Sequence, residues 1–365
     1  MDSRTQRAWV EVDLDAVLHN ATSIHRRSGK PILPMVKADA YGMGAVEVCR
    51  VLEPLDPWAF GIAAVAEADE LRRAGIHRRL LIFSPVLPAD FPDLRRLDVT
   101  PTLGSADAIR AWRDTGGGRW HLSIDTGMHR AGVEWWRVGQ MAELIADAPP
   151  EGACTHFHSA DANDASLEQQ QVRFHEALDC LRSRPALLHA ENSAAVERQA
   201  PSPWDLVRPG VFLYGVGGGA GSQLVPEPVA HLRARIVEIH DVKQGESCSY
   251  GATWRAQEPR RIATLALGYA DGYRRLFSSM GEAIIGGSRA PVVGRVTMDM
   301  TMIDVSGIAC RVGDVATLLG RAGDDHLDIN TICDDVNLLS YEMLVGLKLR
   351  APRIHVRGAP LRVDS

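Results

Sequence analysis

Eight short apolar runs, at 31–37, 59–63, 79–84, 99–103, 120–125, 152–158, 186–191 and 206–211, punctuate the first 211 residues of this 365-residue chain. Between most of them lie segments such as VAEADELRRAG and LEQQQVRFHEALDCLRSR, whose apolar positions return every three or four residues. Strands that alternate with helices build parallel sheets, and eight such units close into a (β/α)8 TIM-like barrel. The fourth and eighth units carry the weakest pattern.

Near residue 216 the texture changes. VGGGAGSQLVPEP is rich in glycine and proline, and it is followed by ARIVEIHDV, RRIATLAL, EAIIGG, RAPVVGRV, MTMIDVSG and GDVATLL. These are short strands separated by turn residues, with one good helix around TICDDVNLLSYEMLVG. The expected organisation is an α/β barrel over 12–224 and a β-rich C-terminal domain over 225–365 that also takes the N-terminal strand, 1–11. The 45% hydrophobic content is enough for a substantial core. A net charge of −6 argues against nucleic acid and against electrostatic attachment to a membrane. Six scattered cysteines lack paired metal spacing, so no metal site is indicated and reduced thiols are expected. The N-terminus lacks the apolar core of a signal peptide, and no run is long enough to cross a bilayer, so a soluble cytoplasmic protein is expected.

Chemistry concentrates at the ends of the strands. In PILPMVKADAYGMG, residues 31–44, an apolar strand runs into Lys37, followed by Tyr41 and two glycines. A lysine at a strand end is, alone, an ordinary solvated charge. An amine beside a loop that approaches a phosphate closely is also what captures an aldehyde cofactor as a Schiff base. The company of Lys37 decides between the two. Arg130 follows WHLSID, His156 lies in ACTHFHS, Asn192 and Ser193 follow ALLHAE, and Arg208 and Gly210 lie at the last strand. Barrel active sites form at the C-terminal strand ends, so these residues are expected at one mouth. There Gly210 and Val211 offer backbone N–H groups to a phosphate, with hydroxyls from Ser193, Tyr41 and Tyr341 beside them.

The segment around Lys37 resembles the pyridoxal-phosphate segment of the alanine racemases. The resemblance extends through DTGMHRAG, HAEN, VRPGV, CSYGATW, LGYADG, GRVTMDM and SYEML. It implies pyridoxal 5'-phosphate bound through Lys37, with Tyr41, His156, Asn192, Ser193, Arg208, Gly210, Val211 and Tyr341 around it. Arg208 matches the arginine that faces the pyridine nitrogen, and His156 the histidine near the ring that bridges toward it. Racemisation needs acid/base groups on both faces of the α-carbon. The resemblance assigns one face to Lys37 and the other to Tyr250, supplied by the partner subunit of a homodimer with composite sites. A phenol with a pKa of about 10 needs nearby positive charge or donors to serve as a base near neutral pH. His189 matches the family residue that contacts this tyrosine. Arg130 is implied as the bidentate ligand of the substrate carboxylate, with Tyr269 and Met298 of the partner completing substrate recognition. Asp161 and Arg295 are candidates for the substrate channel.

Three positions depart from the family pattern. Many racemases carry a carbamylated lysine seven positions before the arginine; here Ser123 stands there, and another anion such as chloride, or a different neighbour, has to orient Arg130. Met43 replaces the histidine of the cofactor loop, and Thr297 the cysteine before the methionine. The implied reaction is interconversion of L- and D-alanine, supplying D-alanine for peptidoglycan. Serine or a broader range of amino acids is the first alternative, because an apolar pocket rejects one added hydroxyl weakly. A related barrel decarboxylase should show a carboxylate in place of Arg208, and a noncatalytic cofactor carrier has no use for Tyr250.

Overall fold

The computed structural model describes residues 5–162, 164–217 and 222–358. Phe60–Ile62, Leu80–Ile82, Val99–Leu103, His121–Asp125, Gly152–Cys154 and Leu187–His189 pair in chain order, all parallel. Two further segments close the ring without becoming regular strands. Parallel bridges join Ile32 to Val207 and Met35 to Gly61. The Leu33 amide donates to Val207 O at 2.8 Å and the Met35 amide to Pro209 O at 2.8 Å, while Asp205 N and Arg208 N donate to Leu188 O and Glu191 O, each at 2.9 Å. Pro31, Pro34 and Pro209 have no N–H, so the ladder at this seam is interrupted. The fold is the expected barrel, with its first and eighth staves held by isolated bonds; the fourth, Val99–Leu103, is a regular strand.

The helices lie between staves and bury one face each. In Leu14–Ser28 the buried positions Leu14, Val17, Ala21, Ile24 and Ser28 recur at helical spacing. Asp13 caps this helix by accepting from Asp15 N at 2.9 Å and Ala16 N at 3.0 Å, and Gly29 ends it in the left-handed conformation. Among the described residues no helix is long and apolar enough to cross a membrane.

The second half of the chain builds a nine-stranded sheet around one long strand, Ala230–Val242. Its first half pairs antiparallel with Ala8–Asp13 and Val315–Ala322, and its second half with Arg260–Leu265. Ala8–Asp13 also pairs parallel with Arg353–Val356, so the chain's start and its last described strand lie side by side. Residues 218–221 of the expected linker lie outside the described residues. The single helix expected around TICDDVNLLSYEMLVG is two, Ile329–Asp334 and Ser340–Gly346. Asn337, at φ 53°, takes the left-handed conformation that stops the first.

Asp13 stands at the joint between sheet and barrel, where the strand ends and the helix begins. Asp13→Ala leaves two helix N–H groups without their acceptor and should destabilise the protein by about 1 kcal/mol. Urea unfolding should show a lower midpoint at unchanged slope. An unchanged midpoint would show that the cap contributes nothing.

Candidate active site

The first stave ends at Val36, whose amide donates to Gly61 O at 2.8 Å. The chain does not continue extended through Lys37. Ala38, Asp39, Ala40 and Tyr41 all have φ between 52° and 56°, a full turn of left-handed helix without a glycine. Each such residue costs roughly 1–2 kcal/mol, so the turn persists only because its surroundings hold it. Glu67 accepts from Ala38 N at 2.7 Å and, with its other oxygen, from Ala63 N at 2.7 Å and Ala64 N at 3.1 Å. Asp39 Oδ1 accepts from Ala45 N at 2.7 Å. From the C-terminal sheet, Arg353 Nε donates to Gly42 O at 2.7 Å, and His355 Nε2 meets Met43 O at the same distance.

The turn returns the Tyr41 ring over the barrel, where it stacks on Tyr214 with centroids 4.9 Å apart. A Cβ added to Gly210 would lie 2.7 Å from the Tyr41 hydroxyl, so only glycine leaves this approach open. Ser193 Oγ accepts from Gly210 N at 3.0 Å and Phe212 N at 3.4 Å, gathering the start of the turn Val211–Tyr214. Burial, with a smaller contribution from Tyr341, pushes the Tyr41 phenol up to about 12, which keeps it a neutral donor. Asn192 does something not expected from its place in HAEN: its Oδ1 caps the helix Ser193–Arg198 by accepting from Ala195 N at 3.0 Å.

Arg208 is buried, and its N–H groups can be accounted for one by one. Nη1 donates to His189 O at 2.6 Å and His189 Nδ1 at 3.0 Å. Nη2 donates to Thr155 O at 2.7 Å and Ala190 O at 3.0 Å, with His156 Nδ1 at 3.5 Å. A guanidinium has five N–H donors. The Nε–H is the one without an acceptor among the described residues.

Three positive charges meet at the mouth. Burial lowers the Lys37 pKa, and the charges of Arg130 and Arg208 lower it further against the opposing pull of Glu67. Burial, then Arg208, Arg130 and Lys37, hold His156 down at about 3, so its ring is neutral. Arg130 itself is exposed and has no hydrogen-bond or ion-pair partner among the described residues. Its loop is folded by Asp125, whose Oδ1 accepts from Gly127 N at 2.9 Å and His129 N at 3.1 Å. Ser123, below, is engaged with the Cys154 thiol.

The barrel thus brings together Lys37, Tyr41, Arg130, His156, Ser193, Arg208, Gly210 and Val211, with Asn192 on the adjoining helix cap and Tyr341 beside Tyr41. It does not bring in Tyr250, Tyr269 or Met298. Tyr250 is 73% exposed on the hairpin between Ser247–Cys248 and Trp254–Arg255. Tyr269 N and Ala270 N donate to Thr297 O and Met298 O, each at 3.0 Å, which ties the Tyr269 and Met298 loops together. Both side chains remain exposed. His189 departs from expectation: fully buried, it gives one nitrogen to Arg208 and the other to His121, at 2.8 Å, and has none left for a tyrosine. Glu67, Tyr214 and His121 were not singled out from the sequence. Their patterns, VAEADE, VFLY and WHLSID, read as ordinary helix, turn and strand.

The arrangement gathers a glycine turn beside two hydroxyls, an amine of depressed pKa and a buried guanidinium held by backbone carbonyls. Comparison with known proteins places the chain in one family. Residues 12–217 match the family description "Alanine racemase, N-terminal domain" and residues 229–355 match "Alanine racemase, C-terminal domain". The chain is 35% identical over 367 residues to the alanine racemase of Carboxydothermus hydrogenoformans, covering 95% of this chain and 99% of that protein. It is 34% identical to that of Geobacillus kaustophilus, covering 98% and 97%. The crystal structure of the Bacillus anthracis alanine racemase with bound L-Ala-P superposes with a TM-score of 0.89 at 32% identity, covering 97% of this chain and 96% of that one.

Glu67 is the one carboxylate that acts on Lys37, and it also holds the turn that follows it. Glu67→Ala should lower the Lys37 pKa further, because the opposing negative charge is lost, and should reduce stability by roughly 1–2 kcal/mol through the lost acceptor of Ala63 N and of the two more exposed amides. Labelling of Lys37 by an amine reagent across pH, read by peptide mass spectrometry, should shift to lower pH. A shift upward would contradict this electrostatic role.

Proposed function

The chain belongs to the alanine racemase family, and from that premise we propose that it is a pyridoxal-phosphate-dependent isomerase that interconverts L- and D-alanine by two-base proton transfer at the α-carbon. The observation that carries the reading is the buried Arg208, fixed by barrel carbonyls with its Nε–H left without an acceptor among the described residues and its charge felt at Lys37.

The residues present fit the cofactor. Its phosphate suits the cradle of Gly210, Val211, Ser193, Asn192, Tyr41 and Tyr341, where the missing Cβ of Gly210 leaves room against the Tyr41 hydroxyl. Lys37 supplies the amine, and its depressed pKa raises the neutral, nucleophilic fraction. His156, neutral beside Arg208, adds no charge to the ring pocket. Pyridoxal phosphate, when bound, supplies an electron-withdrawing ring that makes the α-hydrogen of an attached amino acid acidic.

Arg208 distinguishes this reading from a barrel decarboxylase. A carboxylate facing the ring nitrogen would keep that nitrogen protonated and deepen the electron withdrawal; a permanently charged guanidinium disfavours the proton. Moderate withdrawal suits reversible proton exchange. Arg130, with no acceptor among the described residues, is free to take the substrate carboxylate through two parallel N–H bonds.

Lys37 moves the proton on one face. Tyr250 is assigned the other, and its exposure on the C-terminal domain supports delivery to a neighbouring subunit's barrel. Leu276, Met280, Met298 and Met300 are exposed on the same part of the chain, an apolar surface suited to association. The active species is therefore a homodimer with composite sites, in which Tyr269 and Met298 complete the substrate pocket. A cytoplasmic place, with D-alanine passing to peptidoglycan synthesis, follows from this activity.

Incubation with L-alanine in D2O, followed by chiral chromatography, should yield both enantiomers carrying α-deuterium. Lys37→Ala should abolish turnover and the bound-cofactor absorbance. Tyr250→Phe should keep that absorbance while turnover falls by roughly 10²–10⁴. Release of carbon dioxide without the second enantiomer would identify a decarboxylase instead.

A further inference from the structure

His189, beneath Arg208, does not end the hydrogen-bond chain. Its Nε2 lies 2.8 Å from His121 Nδ1, and both rings are fully buried. On its far side His121 turns Nε2 toward Glu151 Oε2 at 3.6 Å, an electrostatic approach beyond hydrogen-bond distance, so the hydrogen-bonded chain itself ends at His121. Glu151 is clamped by Arg79, which donates to both carboxylate oxygens at 2.6 and 2.7 Å and lies over the Trp58 ring at 4.5 Å.

The direction of every hydrogen follows from one fact: a guanidinium only donates. Because Arg208 Nη1 points at His189 Nδ1, that nitrogen bears no hydrogen, and neutral His189 carries its proton on Nε2. With no water-accessible surface, Nε2–H must donate to His121 Nδ1. His121 then carries its own proton on Nε2, facing the carboxylate. Protonating His189 would set an N–H against the guanidinium, and burial, Arg208 and His121 all oppose it. Glu151 is held ionised, down at about 2, chiefly by His121 and also by Arg79. The hydrogen bonds from Arg208 to His189 to His121 have a single polarity, and the last N–H faces the Glu151 carboxylate across 3.6 Å.

We propose that His121 and Glu151 are positioning residues that hold His189 in its Nε2–H tautomer and so keep the Arg208 guanidinium aimed at the cofactor ring. The orientation of Arg208 toward the ring rests on the function proposed above; the tautomer chain does not. Without an acceptor at position 121, the His189 Nε2–H is orphaned in a dry interior. The alternative tautomer then places Nδ1–H against Arg208 and pushes the guanidinium out of line.

The test uses the cofactor-loaded enzyme labelled with ¹⁵N-histidine. Wild type should show His189 as a single Nε2–H tautomer. His121→Leu removes the acceptor and should yield mixed tautomers, with kcat reduced about tenfold and KM for alanine within about twofold. His121→Asn, whose amide oxygen stands near the position of Nδ1, should restore both tautomer and kcat. Glu151→Gln, at the half-buried rim, keeps the fold accessible to study if the leucine variant does not fold, and should weaken the tautomer preference in the same direction. A wild-type His189 carrying its proton on Nδ1, or variants in which neither tautomer nor kcat changes, would overturn the proposal. A wild-type protein with the expected tautomer but no alanine racemisation would defeat the functional reading and leave the chain of hydrogen bonds standing.

Discussion

A guanidinium buried without a carboxylate in contact is the constraint around which the barrel mouth is built. Arg208 makes no ion pair among the described residues; its charge is met by the carbonyls of Thr155, His189 and Ala190 and by an imidazole nitrogen. Burying an uncompensated charge is costly, and dipoles arranged in advance are one way a protein tolerates it. Those carbonyls come from the sixth and seventh staves, so the charge is stable only in a closed barrel. With Lys37 and Arg130 the mouth then carries three positive groups and neutral His156. Such a field favours anions, a phosphate at one end and a carboxylate at the other.

The second cost is paid in backbone conformation. Four successive non-glycine residues, Ala38–Tyr41, sit in the left-handed region directly after the nucleophilic lysine. Glu67 holds the start of that turn from the barrel, and Arg353 and His355 hold its end from the C-terminal sheet. The two halves of the chain are thereby coupled at the turn that follows Lys37. A conformation this unfavourable is retained where function requires the geometry.

Much of this was visible in the chain's pattern, and the failures have physical causes. The strands at 59–63, 79–84, 120–125 and 152–158 stood out because they are apolar runs bounded by helices of clear period. The eighth was faint because Pro209 breaks its ladder, and the first is held by bridges because Pro31 and Pro34 lack donors. The left-handed turn carries no glycine signal at Ala38–Tyr41, so nothing in the local sequence announces it; tertiary hydrogen bonds hold it. Asn337 divided what read as one helix, a residue type that tolerates positive φ. His189 was matched with a tyrosine because spacing along the chain cannot reveal that its two nitrogens face staves far away in sequence. The helix-capping role of the Asn192 oxygen is a further task that its place in HAEN does not announce. Convergence of Lys37, Arg130, His156 and Arg208 was legible because barrel topology sends every strand end to the same mouth.

The central claim is that Lys37 of one subunit and Tyr250 of another attend the same α-carbon. Mixing inactive Lys37→Ala and Tyr250→Phe homodimers under conditions of subunit exchange tests it directly, because a heterodimer regains one intact site only when the two residues come from different chains. Random exchange of an equal mixture should restore about a quarter of wild-type racemisation, half the dimers being mixed with one of two sites intact. The same restoration should be absent if exchange is blocked by cross-linking first. Demonstrated exchange with no recovered activity would contradict the composite site.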